Sequence, residues 1–278
     1  MSTTKTAPRS TPPASATAAQ AKVDPLDKTI ARAQQGRVNV TAEKAIAMAG
    51  KLYGEGKYGQ AVKVCEQIIQ ARPGNADAHN IHGVALNALG KSAEAIESLR
   101  RAVKLAPNAT SIFANLGEVQ RQAGHKKDAA KSLENAVKLD PKNAQALNNL
   151  GIIRYDEGKF EEAVDYYRRA IEVRPGMYEA LNNLGNALRM VGDVDGAIQA
   201  YQDALVYREK YPEAYNNLGT LLQQDKRLEE AEHALRKAIA LNPRYVEAHN
   251  NLAQLYFAQK KEVDALRVLG DALKFAPT

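Results

Sequence analysis

The chain has 278 residues, of which 25% are charged and 45% hydrophobic, ordinary proportions for a folded domain. No stretch approaches the roughly 18 consecutive apolar residues of a membrane-spanning helix. Of the net charge of +6, residues 1–41 carry +4, from six basic and two acidic side chains. Phosphate binding needs Lys and Arg clustered on one face. We therefore expect neither a nucleic acid nor a membrane as partner.

The single cysteine, Cys65, excludes an internal disulfide framework and fits a reducing compartment. Residues 1–23 are mostly Ser, Thr, Ala and Pro and lack the apolar core of a secretory signal. Their composition is typical of a disordered tail. We expect a cytoplasmic protein.

Residues 24–41 predict a short capping helix followed by a linker. Asp24-Pro25 is a favourable N-cap and first-turn pair, and Leu26 and Ile30 share one helical face. Such a helix covers the open end of a repeat array, which needs a cap.

From residue 42 the sequence repeats with a period of 34 residues. The hexapeptide that begins at Ala146 recurs in near copies at Ala180, Ala214 and Ala248. A fixed period in this range is typical of a stacked array of identical units. Prolines that keep the same phase set the unit bounds: 42–75, 76–109, 110–143, 144–177, 178–211, 212–245 and 246–278.

Each unit predicts a helical hairpin. In the unit 144–177, Leu147, Leu150 and Tyr155 lie at helical spacing before Gly158. A second apolar stripe follows before the proline, which ends the second helix. In the unit 178–211, Glu209 replaces that proline, which predicts a second helix nearly one turn longer. Units six and seven have lysines at the turn glycine, where a left-handed backbone is costlier: Lys226 and Lys260.

The pattern of a large residue, Leu-Gly, then Ala, an aromatic residue, Ala and Pro is matched in outline in all seven units. Over residues 42–278 the sequence therefore resembles the tetratricopeptide repeat (TPR) family. The resemblance implies an all-α fold, a right-handed α-solenoid of seven TPR hairpins whose first helices line a concave groove. The uninterrupted array is also similar to the TPR arm of O-linked N-acetylglucosamine transferases and to those of bacterial sulfotransferases and flagellin glycosyltransferases.

The resemblance implies that positions 2, 5, 6, 9, 12 and 13 of each unit face the groove, and asparagine is frequent there. Five occupy position 6: Asn115, Asn149, Asn183, Asn217 and Asn251. Position 5 has Asn80 and four more: Asn148, Asn182, Asn216 and Asn250. Each costs about 0.5 kcal/mol of helix propensity relative to alanine.

An amide both donates and accepts, so asparagines stacked one per repeat form an amide ladder able to hold the backbone of an extended peptide. At position 12, Arg121, Tyr155 and Arg189 would then tune side-chain preference. A second interpretation stays open: these amides bond across neighbouring helices and serve the scaffold.

No motif indicates catalysis. No Ser/His/Asp set and no recurring carboxylate pair is evident, so we expect no enzymatic activity from this chain and no cofactor. His79 and His82 have the spacing of two metal ligands, but no third ligand accompanies them and packing explains them better. We therefore expect no metal site.

The last unit ends in apolar residues that no following repeat covers: Leu266, Leu269, Leu273 and Phe275. Such surface marks a missing partner or a further part of the chain. The leading hypothesis is a scaffold that binds an extended polypeptide in the groove. The alternatives are the substrate-recognition arm of a protein-modifying transferase, with a catalytic domain beyond residue 278, and self-assembly through this end face.

Overall fold

The structure is a computed structural model that describes residues 42–275. The predicted tail, 1–23, and the predicted capping helix and linker, 24–41, lie outside the described residues. Contacts divide the chain after Ala45, so that Ile46–Thr278 forms one compact unit. Fourteen α-helices and no strand occur between residues 42 and 275, and none of these helices is long and apolar enough to span a membrane.

The helices occur in pairs. They are α1 (Ala42–Gly54), α2 (Tyr58–Ala71), α3 (Ala76–Ala88), α4 (Ser92–Leu105), α5 (Thr110–Gln122), α6 (Lys126–Leu139), α7 (Ala144–Asp156), α8 (Phe160–Val173), α9 (Tyr178–Met190), α10 (Val194–Tyr207), α11 (Pro212–Gln224), α12 (Leu228–Leu241), α13 (Val246–Ala258) and α14 (Glu262–Leu273). Each odd-numbered helix begins at the first residue of a predicted unit. The all-α solenoid of seven helical hairpins is thus confirmed.

The prediction of a longer second helix in the unit 178–211 is wrong. Helix α10 has 14 residues, as many as α8 and α12, and ends at Tyr207. Arg208 leaves helical geometry (φ −138°, ψ 87°), and Pro212 takes the first position of α11. Because the residue before a proline avoids helical geometry, Tyr211 is also non-helical (φ −129°). The helix end is therefore set by the start of the next hairpin.

The turn inside each hairpin requires a left-handed residue. The first five repeats use glycine with φ between +73° and +85°, for example Gly158. Lys226 and Lys260 take the same conformation in the last two repeats, with φ of 63° and 61°. A lysine there meets the Cβ strain that glycine avoids, as the sequence predicted.

Small residues allow the two helices of a hairpin to touch. A Cβ atom added to Gly151 would lie 2.5 Å from Cε1 of Tyr167, and one added to Gly185 would lie 2.5 Å from Cε1 of Tyr201. Both tyrosine rings are almost fully buried. The glycine of the first helix thus makes room for the largest side chain of the second.

Successive hairpins share one core. Each second helix from α2 to α12 contacts the first helix of the next repeat, and consecutive first helices from α3 to α13 contact one another. One cluster of buried residues in mutual contact includes Ala163 of the fourth repeat and extends to Ala265 of the seventh. The first helices therefore lie side by side and form a continuous surface.

Candidate protein-binding surface

The inner surface is defined here as positions 2, 6, 9 and 12 of the first helices. Residues at position 2 are exposed in every repeat, for example Glu179 and Glu213. Those at position 6 are half-buried in repeats five to seven, as are most residues at positions 9 and 12. Since consecutive first helices touch, each position forms a row along the array.

The asparagines of neighbouring repeats bond to one another. In four of the five position-6 asparagines, Nδ2 donates to Oδ1 of the position-5 asparagine 35 residues earlier. The pairs are Asn115–Asn80 (2.9 Å), Asn183–Asn148 (3.3 Å), Asn217–Asn182 (3.0 Å) and Asn251–Asn216 (2.8 Å). The amide ladder is therefore a set of bonds between first helices, as the second interpretation held.

The prediction that position-5 asparagines face the groove is wrong for three of the five. Asn148, Asn182 and Asn216 are only 4%, 6% and 1% exposed, since the next first helix covers them. Asn216 also donates to Oε1 of Glu247 at 3.2 Å. Asn250 is exposed.

The amide ladder has one gap. The residue 35 positions before Asn149 is Ala114, which offers no side-chain acceptor. Asn149 is 1% exposed, and its Nδ2 has no acceptor among the described residues. Asn149 is therefore also out of reach of a ligand, and its predicted place in the groove is wrong. The position-6 amides that remain accessible are Asn115, Asn183, Asn217 and Asn251.

The position-12 residues differ in how they are held. Arg121 is tied to Glu118 of its own helix, with Nη2 to Oε1 at 3.0 Å. The ring of Tyr155 packs edge-on against Phe160, with centroids 5.2 Å apart. The guanidinium of Arg189 forms no hydrogen bond or ion pair with any described residue. Of the three, Arg189 is the cation most available to a partner.

An acidic row borders the inner surface in repeats five to seven. Glu179, Glu213 and Glu247 lie in the first turn of their helices, where the helix dipole favours a negative charge. All three are exposed, and none forms an ion pair within the described part of the chain. This row gives the inner surface of these repeats a negative edge.

An aromatic cluster beside this row was not predicted from the sequence. The guanidinium of Arg208 lies over the rings of Tyr178 (4.8 Å) and Tyr211 (5.0 Å), and the two rings are in edge contact. Burial raises the pKa of Tyr211 to about 12. The sequence offered a clue to this cluster, since Tyr178 begins α9 and Tyr211 directly precedes α11.

The residues considered for chemistry serve the packing. Nε2 of His79 contacts the Pro73 carbonyl oxygen, and Nδ1 of His82 contacts Oγ of Ser98, both at 3.0 Å. Burial raises the pKa of the Cys65 thiol to about 12, which suppresses the reactive thiolate. Between residues 42 and 275 no three His, Cys, Asp or Glu residues are placed to hold a metal ion.

The end face also differs in part from the prediction. Leu266, Leu273 and Phe275 are exposed, but Leu269 is half-buried and packs against the shared core. It occupies the position of Tyr167 and Tyr201, which points into the hairpin. Val263, which was not predicted, is exposed on the same helix.

Comparison with known proteins agrees with this architecture of stacked helical repeats. The family model described as the cytochrome c-type biogenesis protein H TPR domain matches residues 66–176. Three tetratricopeptide repeat models match residues 151–215, 212–245 and 234–267. The chain belongs to the tetratricopeptide repeat family. No curated protein matches it by sequence.

Solved structures show the same fold. The structure of the APC/C hetero-tetramer Cut9–Hcn1 matches 84% of the chain with a TM-score of 0.72 and 18% identity, and the chain spans 46% of that protein. MamA matches 58% of the chain and 95% of its own length, with 26% identity and a TM-score of 0.52. YrrB, described as a TPR protein with an unusual peptide-binding site, matches 70% of the chain and 97% of its own, with 21% identity and a TM-score of 0.55.

Proposed function

We propose that the chain is a protein-binding scaffold whose inner surface in repeats five to seven holds an extended polypeptide. The observation that carries this proposal is the orientation of Asn183, Asn217 and Asn251. Asn183 and Asn217 each donate one N–H to the preceding repeat, whereas the Nδ2 of Asn251 donates to both Asn216 and Thr220 of that repeat. No described residue donates to the Oδ1 of these three asparagines. Each half-buried amide therefore keeps an acceptor for a peptide backbone, and Asn183 and Asn217 also keep a second donor.

The bond to the preceding repeat also fixes each amide before a ligand arrives. A held side chain loses less conformational entropy on binding than a free one, which favours affinity. The acidic row, which forms no ion pair with a described residue, and Arg189 flank these amides and would choose among partners by charge. The peptide-binding site named for YrrB belongs to that protein, and it supports a peptide as ligand here through the shared fold alone.

A display library of random peptides tests the proposal. The immobilised chain selects a peptide, which is then titrated against a variant in which Asn183, Asn217 and Asn251 are all alanine. Each lost hydrogen bond is worth about 1 kcal/mol, so we expect the affinity to fall by roughly a hundredfold. Asn135→Ala, at an exposed site on α6, is the matched control.

Circular dichroism of the triple variant must show intact helices, since the substitutions also remove ladder bonds. Unchanged affinity in a folded triple variant, or failure of the library to yield any peptide that binds, would contradict the proposal. We assign no reaction to the chain.

The alternative of a substrate-recognition arm of a transferase stays a prediction, as does the cytoplasmic location. The reading frame after codon 278 tests the former: a transferase domain there would support it, and an immediate stop codon would remove it.

A further inference from the structure

A groove of about 510 Å³ opens between the first two repeats, where residues of α2, α3 and α4 line it. Its lining includes apolar side chains, among them Ile69 and Leu86. Arg101 is the one arginine or lysine among the lining residues. We name this feature the acidic groove, because three exposed glutamates also line it: Glu66, Glu94 and Glu97.

His82 has an unpaired acceptor in the acidic groove. Oγ of Ser98 donates to the His79 carbonyl oxygen at 3.0 Å, which uses its only hydrogen. In the contact between that oxygen and Nδ1 of His82, also 3.0 Å, the histidine is therefore the donor. A neutral imidazole has one N–H, so Nε2 is left as an acceptor. Burial holds the pKa of His82 below its usual value, which keeps Nε2 unprotonated at neutral pH.

This Nε2 atom faces a carboxylate instead of a donor. It lies 4.0 Å from Oε1 of Glu66, and no described residue donates a hydrogen bond to it. A nitrogen donor about 2.9 Å from both atoms would bridge them and would satisfy the buried acceptor. The Glu66 side chain is 61% exposed, so it can turn toward such a donor. The groove therefore fits a cationic N–H donor.

The groove between repeats three and four contains such a donor from within the chain. Arg154 bridges two glutamates there, with Nη2 3.0 Å from Oε1 of Glu134 and Nε 3.0 Å from Oε2 of Glu162. The glutamates occupy position 25 of the third repeat and position 19 of the fourth, and Arg154 occupies position 11 of the fourth. A guanidinium thus fits between carboxylates at these two positions.

The acidic groove has both carboxylates and lacks that guanidinium. Positions 25 and 19 hold Glu66 and Glu94, whereas position 11 holds Leu86. Lys91 lies 3.3 Å from Oε1 of Glu94, and Glu66 forms no ion pair with any described residue except His82. In the other four grooves at least one of the two positions is not acidic: Arg100 and Asp128, Arg168 and Gly196, Gln202 and Glu230, Arg236 and Asp264.

We propose that the acidic groove binds an arginine side chain of a partner protein, whose guanidinium takes the place that Arg154 has between repeats three and four. Arginine suits the site because its five N–H groups can serve the carboxylates and Nε2 of His82 together. Its methylene groups would pack on the apolar lining. Buried arginines are frequent hot spots of protein interfaces. The site is separate from the inner surface, and the proposal does not depend on peptide binding there.

Nα-acetyl-arginine amide is the probe for this site, and the corresponding citrulline amide, of nearly the same shape but uncharged, is the matched control. Each is titrated into the full chain at neutral pH and low salt. The ¹⁵N resonance of Nε2 in His82 is followed, because it moves when that nitrogen accepts a hydrogen bond. We expect saturable binding of the arginine amide with a dissociation constant of about 1 mM, and no saturable change with the citrulline amide.

Substitutions locate the binding. Glu66→Gln with Glu94→Gln removes both charges and keeps the side-chain shapes. Each exposed ion pair contributes up to about fivefold in affinity, so the double variant should bind the arginine amide about tenfold more weakly. Glu161→Gln, at an exposed site on α8, is the control for loss of a surface charge. Leu86→Arg supplies a guanidinium from within the chain and should block the probe.

Selective binding of the arginine amide that the double variant weakens supports the proposal. It is overturned if the His82 resonance does not respond, if it responds equally to the citrulline amide, or if the double variant binds as tightly as Glu161→Gln. Continued binding by a folded Leu86→Arg chain also overturns it. Since Leu86 is 3% exposed, circular dichroism must show that this variant folds, and the double variant decides the matter if it does not. A chain with Asn183, Asn217 and Asn251 all changed to alanine should bind the arginine amide unchanged, which separates this site from the inner surface.

Discussion

Asn148 and Asn149 are adjacent in the chain but have different partners. Asn148 accepts a hydrogen bond from Asn183 of the next repeat. Asn149 points back toward the preceding repeat, where Ala114 offers nothing to its Nδ2. Both side chains are buried. Because an unpaired buried donor costs free energy and a paired one stabilises, the same residue type has opposite effects at the two positions.

Alanine substitution should separate these effects. Asn183→Ala leaves the Oδ1 of Asn148 buried without its donor, so we expect the free energy of unfolding to fall by about 1–2 kcal/mol. Asn149→Ala removes a donor that is already unpaired and restores helix propensity, so it should change stability by less than about 0.5 kcal/mol. Urea denaturation followed by circular dichroism measures both. Equal losses of unfolding free energy in the two variants would show that the missing hydrogen bond of Asn149 does not affect stability.

Ala114→Asn offers a further control, because it supplies the missing acceptor. A double-mutant cycle with Asn149→Ala should give a favourable coupling of about 1 kcal/mol between the introduced asparagine and Asn149. A coupling of zero would mean that the two side chains do not meet.

His82 should make stability depend on pH. Burial holds its pKa below 6.5, the value for a free histidine, although Glu66 and Glu94 oppose the shift. The unfolded chain therefore binds the proton more readily, and stability that is present above about pH 6.5 is lost as the pH falls through the folded-state value. Denaturation midpoints on either side of that pH measure the loss. A His82→Asn variant should lose less over the same interval, and an equal loss would assign the effect to other groups.

The fold could be predicted from the sequence more fully than the site. Gly151 and Tyr167 lie within one hairpin, so local spacing shows that they must pack. The bond between Asn183 and Asn148 depends on how one hairpin is rotated against the next, which a periodic pattern does not specify. A clue was nevertheless present, because each position-6 asparagine except Asn149 has a position-5 asparagine 35 residues before it.

At the scale of the element, the hairpin depends on one close approach. A methyl group on Gly151 would overlap the Tyr167 ring at 2.5 Å, and the buried ring has little room to move. Gly59, at the start of α2, has nothing within 4 Å of an added Cβ. The two glycines share a helical setting and differ in packing.

Gly151→Ala should therefore lower the free energy of unfolding by about 1–3 kcal/mol, although alanine is the better helix former. Gly59→Ala should be neutral or stabilise by up to about 1 kcal/mol. Thermal or urea denaturation of the two variants decides the matter. If both substitutions raise the free energy of unfolding, the Tyr167 ring must move aside for the added methyl group more easily than its packing indicates.

The hairpin turns of the last two repeats can be improved. Lys226→Gly removes the strain of a left-handed lysine (φ 63°) and should raise the free energy of unfolding by about 1 kcal/mol. The reverse change, Gly158→Lys, should lower it by a similar amount in the fourth repeat, where glycine has φ 76°. Changes of the same sign in the two variants would mean that the turn backbone does not control the effect.

At the scale of the whole molecule, stability is shared between neighbours. In a solenoid each repeat contacts only the adjacent ones, so an internal hairpin has two interfaces and a terminal hairpin has one. The burial pattern follows this rule. Helix α10 buries Ala197, Ile198, Ala200, Tyr201 and Ala204, whereas α14 buries only Ala265 and Ala272.

Hydrogen exchange should therefore be graded along the array. Amides of α14 should open with a smaller free energy than those of α10, because fewer apolar contacts are lost when the last helix separates. Exchange measured at low protein concentration gives this gradient for the single chain. Uniform exchange across α10 and α14 would instead mean that the seven hairpins open as one cooperative unit.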